Sequence, residues 1–365
     1  MIRVLQVVDH MGLGGIQAFI MNVYRNIDRS QIQFDFLVHK MENNTFQEEI
    51  ESLGGKMYFI PARNQGILKN KYALDIFFKE HPKYQVVHQH ESSLSYIEPL
   101  IAAKKHNVPI RIIHSHNTRM GNNLVHKALH WFNSKRIHRI ATHYLACGEL
   151  AGRWLYGKSK VKNDFTVVIN GIQLNKYEYN EKTRLNVRKE FGFGTATVYC
   201  HVGRFDVVKN HAFLIDVFKE LVDNNSNSKL VLVGDGVLMD DIKNKVSKLG
   251  LSNKVVFLGV RSDVSIILQG VDAVLLPSLY EGFPVTAIEA QAAGLPFFMS
   301  DKVSKEALIK NNSYALSLND SAKNWADFIV PRIERQVDNK LMYENGFDIQ
   351  NTVDSLYNIY KYGKL

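Results

Sequence analysis

The chain has 365 residues and the composition of an ordinary globular protein, so its length predicts about two domains. Its only cysteines, Cys147 and Cys200, lie far apart and lack the spacing of metal ligands, which favours a reducing cytoplasmic setting over a disulfide scaffold. The N-terminus has the pattern of a strand and not of a signal peptide, and no segment has the pattern of a membrane-spanning helix.

The net charge of +9 is concentrated in the first half of the chain. Residues 1–172 contain 22 Lys and Arg against 13 Asp and Glu, whereas the remaining residues contain 23 of each. From Lys104 to Lys162, twelve basic residues face a single acidic one, Glu149. This excess favours a partner that carries phosphate or an anionic membrane surface, and a solvated basic surface is the alternative.

Apolar runs alternate with segments of helical period through the first half, which predicts a parallel sheet covered by helices. The predicted strands are Val4–Val8, Phe34–Val38, Met57–Ile60, Gln85–His88, Ile110–Ile113, Tyr144–Ala146 and Thr166–Ile169. The predicted helices are Ile16–Ile27, Glu48–Leu53, Tyr72–Lys79, Leu94–Lys105, Leu124–Arg139 and Glu149–Tyr156.

A second alternating series follows a polar segment, Asn170–Phe193, which is the best candidate for a linker. Its predicted strands are Thr197–Val202, Lys229–Val233, Val255–Leu258, Asp272–Leu276 and Pro296–Met299. Its predicted helices are His211–Val222, Leu238–Leu249, Val264–Leu268, Val285–Ala293 and Lys323–Arg335. A last helix, Ile349–Tyr362, has an apolar face and is expected to be packed. We therefore predict an α/β protein of two Rossmann-like halves in tandem.

One strand-to-helix connection, Ser278–Pro296, contains two carboxylates. Pro284 has the properties of a first helical residue, so a helix is expected from about Pro284 to Ala293. Glu281 lies in the turn and Glu289 follows eight positions later, at the kind of β-to-α connection where open α/β sheets bind ligands. A general acid and a general base are one interpretation of such a pair.

Two further loops have the composition of anion sites. The segment Met11–Ile16 is rich in glycine, including Gly15, and its amides can approach an anion closely, although it lacks the complete dinucleotide or P-loop spacing. A structural turn is the alternative. In the second half, Arg204 and Lys209 follow a predicted strand and together could neutralise a diphosphate, with a pair of surface cations as the alternative.

Four histidines, His88, His90, His114 and His116, end two consecutive predicted strands. No carboxylate cluster accompanies them, so hydrogen bonding to a substrate hydroxyl or phosphate is favoured over a metal site, and at least two of the four are expected to be structural. The chain has no Asp-x-Asp motif, so a divalent ion bridging a nucleotide diphosphate is not predicted. We therefore expect no metal and no other cofactor.

The segment Lys127–Arg139 places basic residues between Leu129, Phe132 and Ile137. Such a basic amphipathic helix suits an anionic membrane surface. The alternative is that its apolar stripe packs on the sheet while its cations are solvated. No nucleic-acid-binding module is recognisable, so no nucleic-acid partner is expected.

Together these features resemble glycosyltransferase family 4, the retaining enzymes of GT-B fold, over essentially the full length. The residues that carry the resemblance are Gly14-Gly15, the two His-x-His strand ends, Asn170-Gly171-Ile172, Gly203-Arg204, Lys209-Asn210, Leu232–Gly236, and Glu281–Pro284 with Glu289-Ala290. The last pair is the family's Glu-x7-Glu motif. The N-terminal pattern and Ile113–Asn117 look most like members from bacterial capsule and exopolysaccharide clusters.

The resemblance implies two Rossmann-like domains that face each other across a cleft. Residues 1–172 would form an acceptor-binding domain, with a C-terminal helix of about 346–365 packed back on it. Residues 173–345 would form a nucleotide-sugar-binding domain.

The resemblance also implies a donor site. Arg204 and Lys209 would bind the diphosphate, Glu289 would accept hydrogen bonds from ribose hydroxyls, and Gly15 would let the opposing loop close on the donor. The backbone at the start of a helix would add amides to the diphosphate site. That stretch runs through Phe283, Pro284 and Val285.

At the reacting centre the resemblance implies Glu281, facing the donor sugar, and His116, with His114 as the alternative match. Gln17 stands where many relatives have an acidic residue. The family has no accepted enzymic nucleophile, so Glu281 would act by electrostatics and positioning while a donor phosphate oxygen helps to take the acceptor proton.

The implied activity is retaining, metal-independent transfer of a sugar from a nucleotide-sugar, expected to be a UDP-sugar. The implied acceptor is a polyprenyl-diphosphate-linked glycan of capsular or extracellular polysaccharide synthesis. The protein is expected to be cytoplasmic and peripheral at the inner face of the cell membrane. The alternatives are a nucleotide-sugar epimerase of the same fold, a non-catalytic nucleotide-sugar-binding subunit and a transferase with a protein acceptor.

Overall fold

The computed structural model describes residues 1–12, 14–41, 44–118 and 123–364. The chain divides into two compact units. The N-terminal unit contains Met1–Gly171 and Ile349–Leu365, and the C-terminal unit contains Ile172–Asp348.

The N-terminal unit is built on a parallel sheet. Its strands are β1 (Ile2–Val7), β2 (Ile32–Val38), β3 (Met57–Phe59), β4 (Val86–Glu91), β5 (Ile110–Ser115), β6 (His143–Ala146) and β7 (Thr166–Val167). Its helices before the second unit begins are α1 (Gly15–Asn26), α2 (Gln47–Ser52), α3 (Ile67–Glu80), α4 (Glu98–Lys105), α5 (Leu124–Arg136) and α6 (Glu149–Tyr156).

The strand order of this sheet is β3-β2-β1-β4-β5-β6-β7. The order reverses between β1 and β4, so the connections that leave these two strands diverge to opposite faces of the sheet. The crevice at the carboxyl ends of β1 and β4 is therefore the expected ligand site of this unit.

The C-terminal unit repeats the plan. Its strands are β8 (Thr197–Val202), β9 (Ser228–Val233), β10 (Val255–Gly259), β11 (Ala273–Leu276), β12 (Phe297–Ser300) and β13 (Ser313–Leu316). Its helices are α7 (Glu181–Glu190), α8 (His211–Asn224), α9 (Met239–Lys248), α10 (Val264–Gly270), α11 (Val285–Ala292), α12 (Ala322–Ile329) and α13 (Lys340–Glu344). The parallel order is β10-β9-β8-β11-β12-β13, which reverses between β8 and β11.

The terminal helix α14 (Ile349–Tyr362) returns to the N-terminal unit and packs on α1 and β1. Its inner face buries Val353, Leu356, Ile359 and Tyr360 in the same apolar cluster as the inner side chains of α1. The predicted packing of this helix on the first domain is therefore confirmed.

The boundary between the two units lies within the predicted linker Asn170–Phe193, between Gly171 and Ile172, but most of that segment belongs to the C-terminal unit and contains α7. Asn180 caps this helix by accepting a hydrogen bond from the Thr183 amide at 2.9 Å. α7 packs on α10, and Arg184 donates to Asp272 at 2.6 Å. Val187 is the one residue that α7 buries among those described, so the sequence looks polar although the helix is docked.

Other details also differ from the prediction, and the short helix α13 was not predicted. The edge strand β13 was not predicted, since its short segment follows a run of polar residues. Pro284 is the N-cap of α11, with an extended ψ of 123°, and not its first helical residue, which is Val285. No helix in the described ranges combines the length and apolar character needed to cross a membrane.

Candidate active site

Four histidine rings lie together at the strand-order reversal of the N-terminal unit. His88 and His90 lie on β4, His114 lies on β5, and His116 follows it. Nδ1 of His90 is 2.8 Å from Nε2 of His116, and Nε2 of His88 is 3.1 Å from Nδ1 of His114. The Phe19 ring, from α1, makes a T-shaped contact with His114, with ring centroids 5.2 Å apart.

Two buried polar side chains complete this histidine cluster. The hydroxyl of Tyr360, from α14, is 2.7 Å from Nδ1 of His88. Oε1 of Gln6, from β1, is 2.8 Å from Nε2 of His90, and Nε2 of Gln6 donates to Tyr360 at 3.3 Å. The cluster is thus anchored by residues from both ends of the chain.

Burial keeps the cluster neutral. It lowers the pKa values of His88, His90 and His114 well below the ordinary value and lowers that of His116 to about 3. Nitrogens of the first three rings lie within 4.8 Å of one another, a spacing that a metal ion could use. Both ring nitrogens of His88 and of His90 already take part in hydrogen bonds, so this set is better suited to hydrogen bonding than to metal ligation.

The glycine loop of the N-terminal unit leads into α1. A Cβ on Gly14 would lie 2.3 Å from Oε1 of Gln17, whereas a Cβ on Gly15 would have no described atom within 4 Å. A side chain at position 14 would therefore displace the end of the Gln17 side chain, while the space beside Gly15 is open to a ligand. Gln17 is buried and donates to the backbone oxygen of His10 at 2.9 Å, so it supports the loop.

Glu91, at the end of β4, is a candidate active-site residue that the sequence analysis did not identify. Burial raises the pKa of its carboxyl group to about 8, and Gln89 donates to its Oε1 at 3.0 Å. Its backbone oxygen accepts from the His116 amide at 3.1 Å. A glutamate before two serines looks like a solvated strand end in the sequence, so only the structure reveals that the pKa of this carboxyl group is raised.

In the C-terminal unit, Lys209 and Glu281 meet at the reversal between β8 and β11. Nζ of Lys209 is 2.5 Å from Oε1 of Glu281, and the Ser278 hydroxyl donates to the same oxygen at 2.9 Å. The Lys209 and Glu281 side chains are 18% and 16% exposed. This pair places a cation and a carboxylate side by side, partly accessible, where an open α/β sheet binds ligands.

Backbone contacts hold the two loops of this pair together. The Leu279 amide donates to the Val208 oxygen at 2.8 Å, and Asn210 donates to the Pro277 oxygen at 3.2 Å. The loop after β9 also packs here, since a Cβ on Gly234, at φ +137°, would lie 2.1 Å from the Gly203 oxygen. Gly234 of the Leu232–Gly236 motif is thus needed for close backbone packing.

Arg204 is placed differently from Lys209. Its side chain is 62% exposed and its Nε lies 3.4 Å from Oδ2 of Asp206, its neighbour in the same loop. The guanidinium is free to reorient, because a mostly exposed pair of this kind contributes little to stability.

Glu289, on α11, is partly exposed and hydrogen-bonded. The Tyr177 hydroxyl donates to its Oε1 at 2.7 Å, and burial raises the pKa of its carboxyl group. Tyr177 was missed because it lies in the supposed linker, 112 positions from its partner.

The N-terminus of α11 lies beside the end of β8, since the Thr286 hydroxyl donates to the Val202 oxygen at 3.4 Å. Phe283 is buried and stacks on Phe347 at 5.8 Å, Pro284 is buried, and Val285 begins the helix. The first-turn amides of a helix have no intrahelical acceptor, so they can bind an anion. Within this unit, the structure brings together Lys209, Glu281 and the start of α11.

The sequence matches known families along both units. Residues 13–176 match the family described as Glycosyltransferase Family 4, and residues 162–345 match Glycosyl transferases group 1. EpsF of Bacillus subtilis (strain 168), named as a glycosyltransferase, is 33% identical over 98% of this chain and 96% of its own length. The chain belongs to glycosyltransferase family 4. The predicted resemblance is therefore confirmed.

A second relative and a solved structure extend the comparison. UDP-Gal:alpha-D-GlcNAc-diphosphoundecaprenol alpha-1,3-galactosyltransferase of Escherichia coli is 28% identical over 95% of this glycosyltransferase and 94% of its own length. The structure of HepE from Anabaena, in complex with UDP and glucose, matches with a TM-score of 0.81 over 99% of this chain and 100% of that one, at 16% identity. The predicted GT-B fold of two Rossmann-like domains is confirmed.

Proposed function

We propose that this glycosyltransferase transfers a sugar, with retention, from a UDP-sugar to a polyprenyl-diphosphate-linked glycan in capsular or extracellular polysaccharide synthesis. The observation that carries the proposal is the cation and carboxylate pair of Lys209 and Glu281 beside the N-terminus of α11. A diphosphate needs fixed positive charge and amides, and this loop pair offers both.

The remaining donor contacts follow from the same unit. Arg204 would reorient from Asp206 to the diphosphate, and Oε2 of Glu289 has no hydrogen-bond partner among the described residues, so it would accept from ribose hydroxyls. The choice of a UDP-sugar and a lipid-linked acceptor is supported by HepE, solved with UDP, and by the galactosyltransferase named for diphosphoundecaprenol.

The chemistry we propose uses no metal and no enzymic nucleophile. Lys209, Arg204 and the α11 amides would stabilise the charge that develops on the leaving diphosphate, and a donor phosphate oxygen would help to take the acceptor proton. Glu281 and His116 would orient the sugar and its hydroxyls.

A direct test is an assay of the purified full chain with UDP-galactose, UDP-glucose or UDP-N-acetylglucosamine and a diphosphoundecaprenol-linked N-acetylglucosamine. We expect one sugar to be added with the anomeric configuration of the donor, at a rate that EDTA does not lower. Turnover of the donor without acceptor would indicate an epimerase, and binding without turnover would indicate a non-catalytic subunit. An inverted product or inhibition by EDTA would contradict the corresponding part of the mechanism.

We also propose that α5 holds the protein at the inner face of the cell membrane. Trp131 and Phe132 are 56% and 53% exposed, and Leu124 and Val125 are 79% and 64% exposed. The side chains that α5 buries are polar ones, and His130 accepts from the Leu94 amide at 3.1 Å. Of the predicted apolar stripe, Ile137 is buried and Phe132 is exposed, so the alternative that the stripe packs on the sheet holds for Ile137 and not for Phe132.

Cations flank the exposed aromatic rings of α5. Nζ of Lys135 lies 5.8 Å from the Trp131 ring centre, and Cζ of Arg136 lies 5.3 Å from that of Phe132. Aromatic and aliphatic side chains with basic neighbours are typical of helices that lie in the interface of anionic bilayers.

Replacing both Trp131 and Phe132 by serine is expected to lower binding to vesicles of phosphatidylglycerol and phosphatidylcholine by about 10- to 100-fold, because two large apolar side chains no longer enter the interface. Replacing Lys135 and Arg136 by glutamine is expected to lower it by about tenfold and to remove most of its salt dependence. Cosedimentation measures both.

The matched control is Leu185→Ser, which removes an apolar side chain that is 59% exposed on α7 of the other unit. This variant should bind vesicles as the unmodified protein does. Equal binding of the Trp131/Phe132 double variant, or equal binding to pure phosphatidylcholine, would contradict the proposed membrane surface.

A further inference from the structure

The side-chain amide of Gln6 lies where two chains of hydrogen bonds meet. Its Nε2 is 3.3 Å from the Tyr360 hydroxyl, and its Oε1 is 2.8 Å from Nε2 of His90. An amide nitrogen can only donate and an amide oxygen can only accept. The orientation of this one amide therefore sets the direction of both chains.

The first chain leads to His116. Because Oε1 of Gln6 accepts, Nε2 of His90 carries the ring proton, and Nδ1 of the neutral ring must accept. Its partner at 2.8 Å is Nε2 of His116, which therefore donates. The lone pair of His116 is left on Nδ1.

The second chain leads to His114. The Tyr360 hydroxyl accepts from Gln6, so its own proton goes to Nδ1 of His88 at 2.7 Å. Nε2 of His88 then donates to Nδ1 of His114 at 3.1 Å, and His114 carries its proton on Nε2. That nitrogen is buried and has no hydrogen-bond partner in the part of the chain that the structure describes.

We propose that Gln6 and Tyr360 are positioning residues that hold all four histidines as Nε2–H tautomers, so that His116 presents the Nδ1 lone pair to a sugar hydroxyl. Gln6, Tyr360, His88, His90 and His114 are at most 4% exposed, whereas His116 is partly exposed and is the ring a ligand can reach. That His116 meets a sugar rests on the proposed function, but the tautomers do not.

Nitrogen-15 NMR of the imidazole rings reads the tautomers in the full chain without substrate. With signals assigned from single His→Gln variants, we expect Nε2 to be the protonated nitrogen in all four rings. Protonation on Nδ1, or a doubly protonated ring near neutral pH, would overturn the proposal.

Tyr360→Phe removes one hydroxyl from the second chain. We expect His88 and His114 to become mixtures of tautomers, while His90 and His116 keep theirs. The matched control is Tyr357→Phe on the same helix, whose hydroxyl donates to Gln31 at 2.5 Å on the surface and should change none of the four signals. Unchanged His88 and His114 signals in Tyr360→Phe would overturn the proposal.

Gln6→Met removes the junction itself. We expect mixed tautomers at all four histidines, because both chains lose the group that sets their direction. We expect a kcat lowered about five- to tenfold with nearly unchanged KM, because the substrate still binds but the acceptor atom of His116 is no longer fixed. An unchanged kcat alongside mixed tautomers would overturn the role given to His116.

A metal titration tests the alternative that these histidine nitrogens bind a metal ion. Stoichiometric Zn²⁺ binding that His88→Gln abolishes would overturn the proposal, because the lone pairs would then serve the ion. Failure of the proposed function is distinguishable, since it would appear as missing sugar transfer with the tautomers of the substrate-free protein intact.

Discussion

Lys209→Met is expected to lower kcat/KM for sugar transfer by about a thousandfold, the upper range for loss of one preorganised charge at a developing oxyanion. The loss has two sources. In the proposed site the diphosphate would lose a cation, and Glu281, which Lys209 contacts at 2.5 Å, would keep its negative charge without the lysine that balances it. Single-turnover kinetics and the Kd of UDP, measured by calorimetry, separate chemistry from binding.

A second substitution separates the two contributions to this loss of kcat/KM. In the Lys209→Met/Glu281→Gln double variant the repulsion is absent, so we expect UDP affinity to recover to within about tenfold of the unmodified protein while kcat stays low. The control is Lys245→Met, which breaks a comparable 2.6 Å ion pair with Asp216 and should leave transfer unchanged. Equal UDP affinity in the single and double variants would contradict the coupling.

Arg204 can be compared with Lys209 as a second cation of the proposed donor site. Because its side chain is 62% exposed and Lys209 is 18% exposed, the lysine is held in place by its surroundings and the arginine is not. Preorganised charge lowers a barrier more than charge that must reorient, so Lys209 should matter more for kcat than Arg204 does.

The fold was largely predictable because its strands are buried on both faces. β9, β11 and β12 contain the uninterrupted apolar runs Leu230–Val233, Ala273–Leu276 and Phe297–Met299, and such runs are the signal of a parallel sheet. α7 was not predicted, because a helix that packs through Val187 and through ion pairs of its arginines has almost no apolar periodicity.

The candidate site was predictable only as a set of residue types at strand ends. Gly-rich turns, histidines and carboxylates at the carboxyl ends of parallel strands mark a ligand edge, and they lie there in both units. The residues that hydrogen-bond to these site residues have no recognisable pattern in the sequence. Tyr177 and Glu289 are 112 positions apart, and Tyr360 and His88 are 272 apart. Contacts this distant in sequence depend on the completed fold.

The α5 helix shows a further limit of pattern reading. Its apolar and basic residues recur at helical spacing, which says that the helix has two faces but not which face is buried. Buried polar contacts decide the question here, since Asn133 donates to the Leu94 oxygen at 2.6 Å and so turns Trp131 and Phe132 outward.

Glu289→Gln is expected to stabilise the unliganded protein at neutral pH while weakening UDP binding by about 10- to 100-fold. Glu289 has no ion-pair partner among the described residues, and burial raises its pKa, with only the Tyr177 hydrogen bond acting in the opposite direction. Because the folded pKa lies above the unfolded one, ionisation of Glu289 costs stability, and that cost grows as the pH rises through the folded pKa. Glutamine keeps an acceptor for Tyr177 without this cost.

Melting temperatures measured from pH 4 to pH 8 test whether ionisation of Glu289 lowers the stability of the protein. The unmodified protein and Glu289→Gln should melt together below the ordinary carboxyl value of about 4.5 and separate above it, with the variant the more stable. Glu190→Gln, at an exposed position on α7, should show no such separation. A variant less stable than the unmodified protein at pH 8 would mean that the carboxylate is stabilised by its surroundings, and unchanged UDP affinity would remove Glu289 from the donor site.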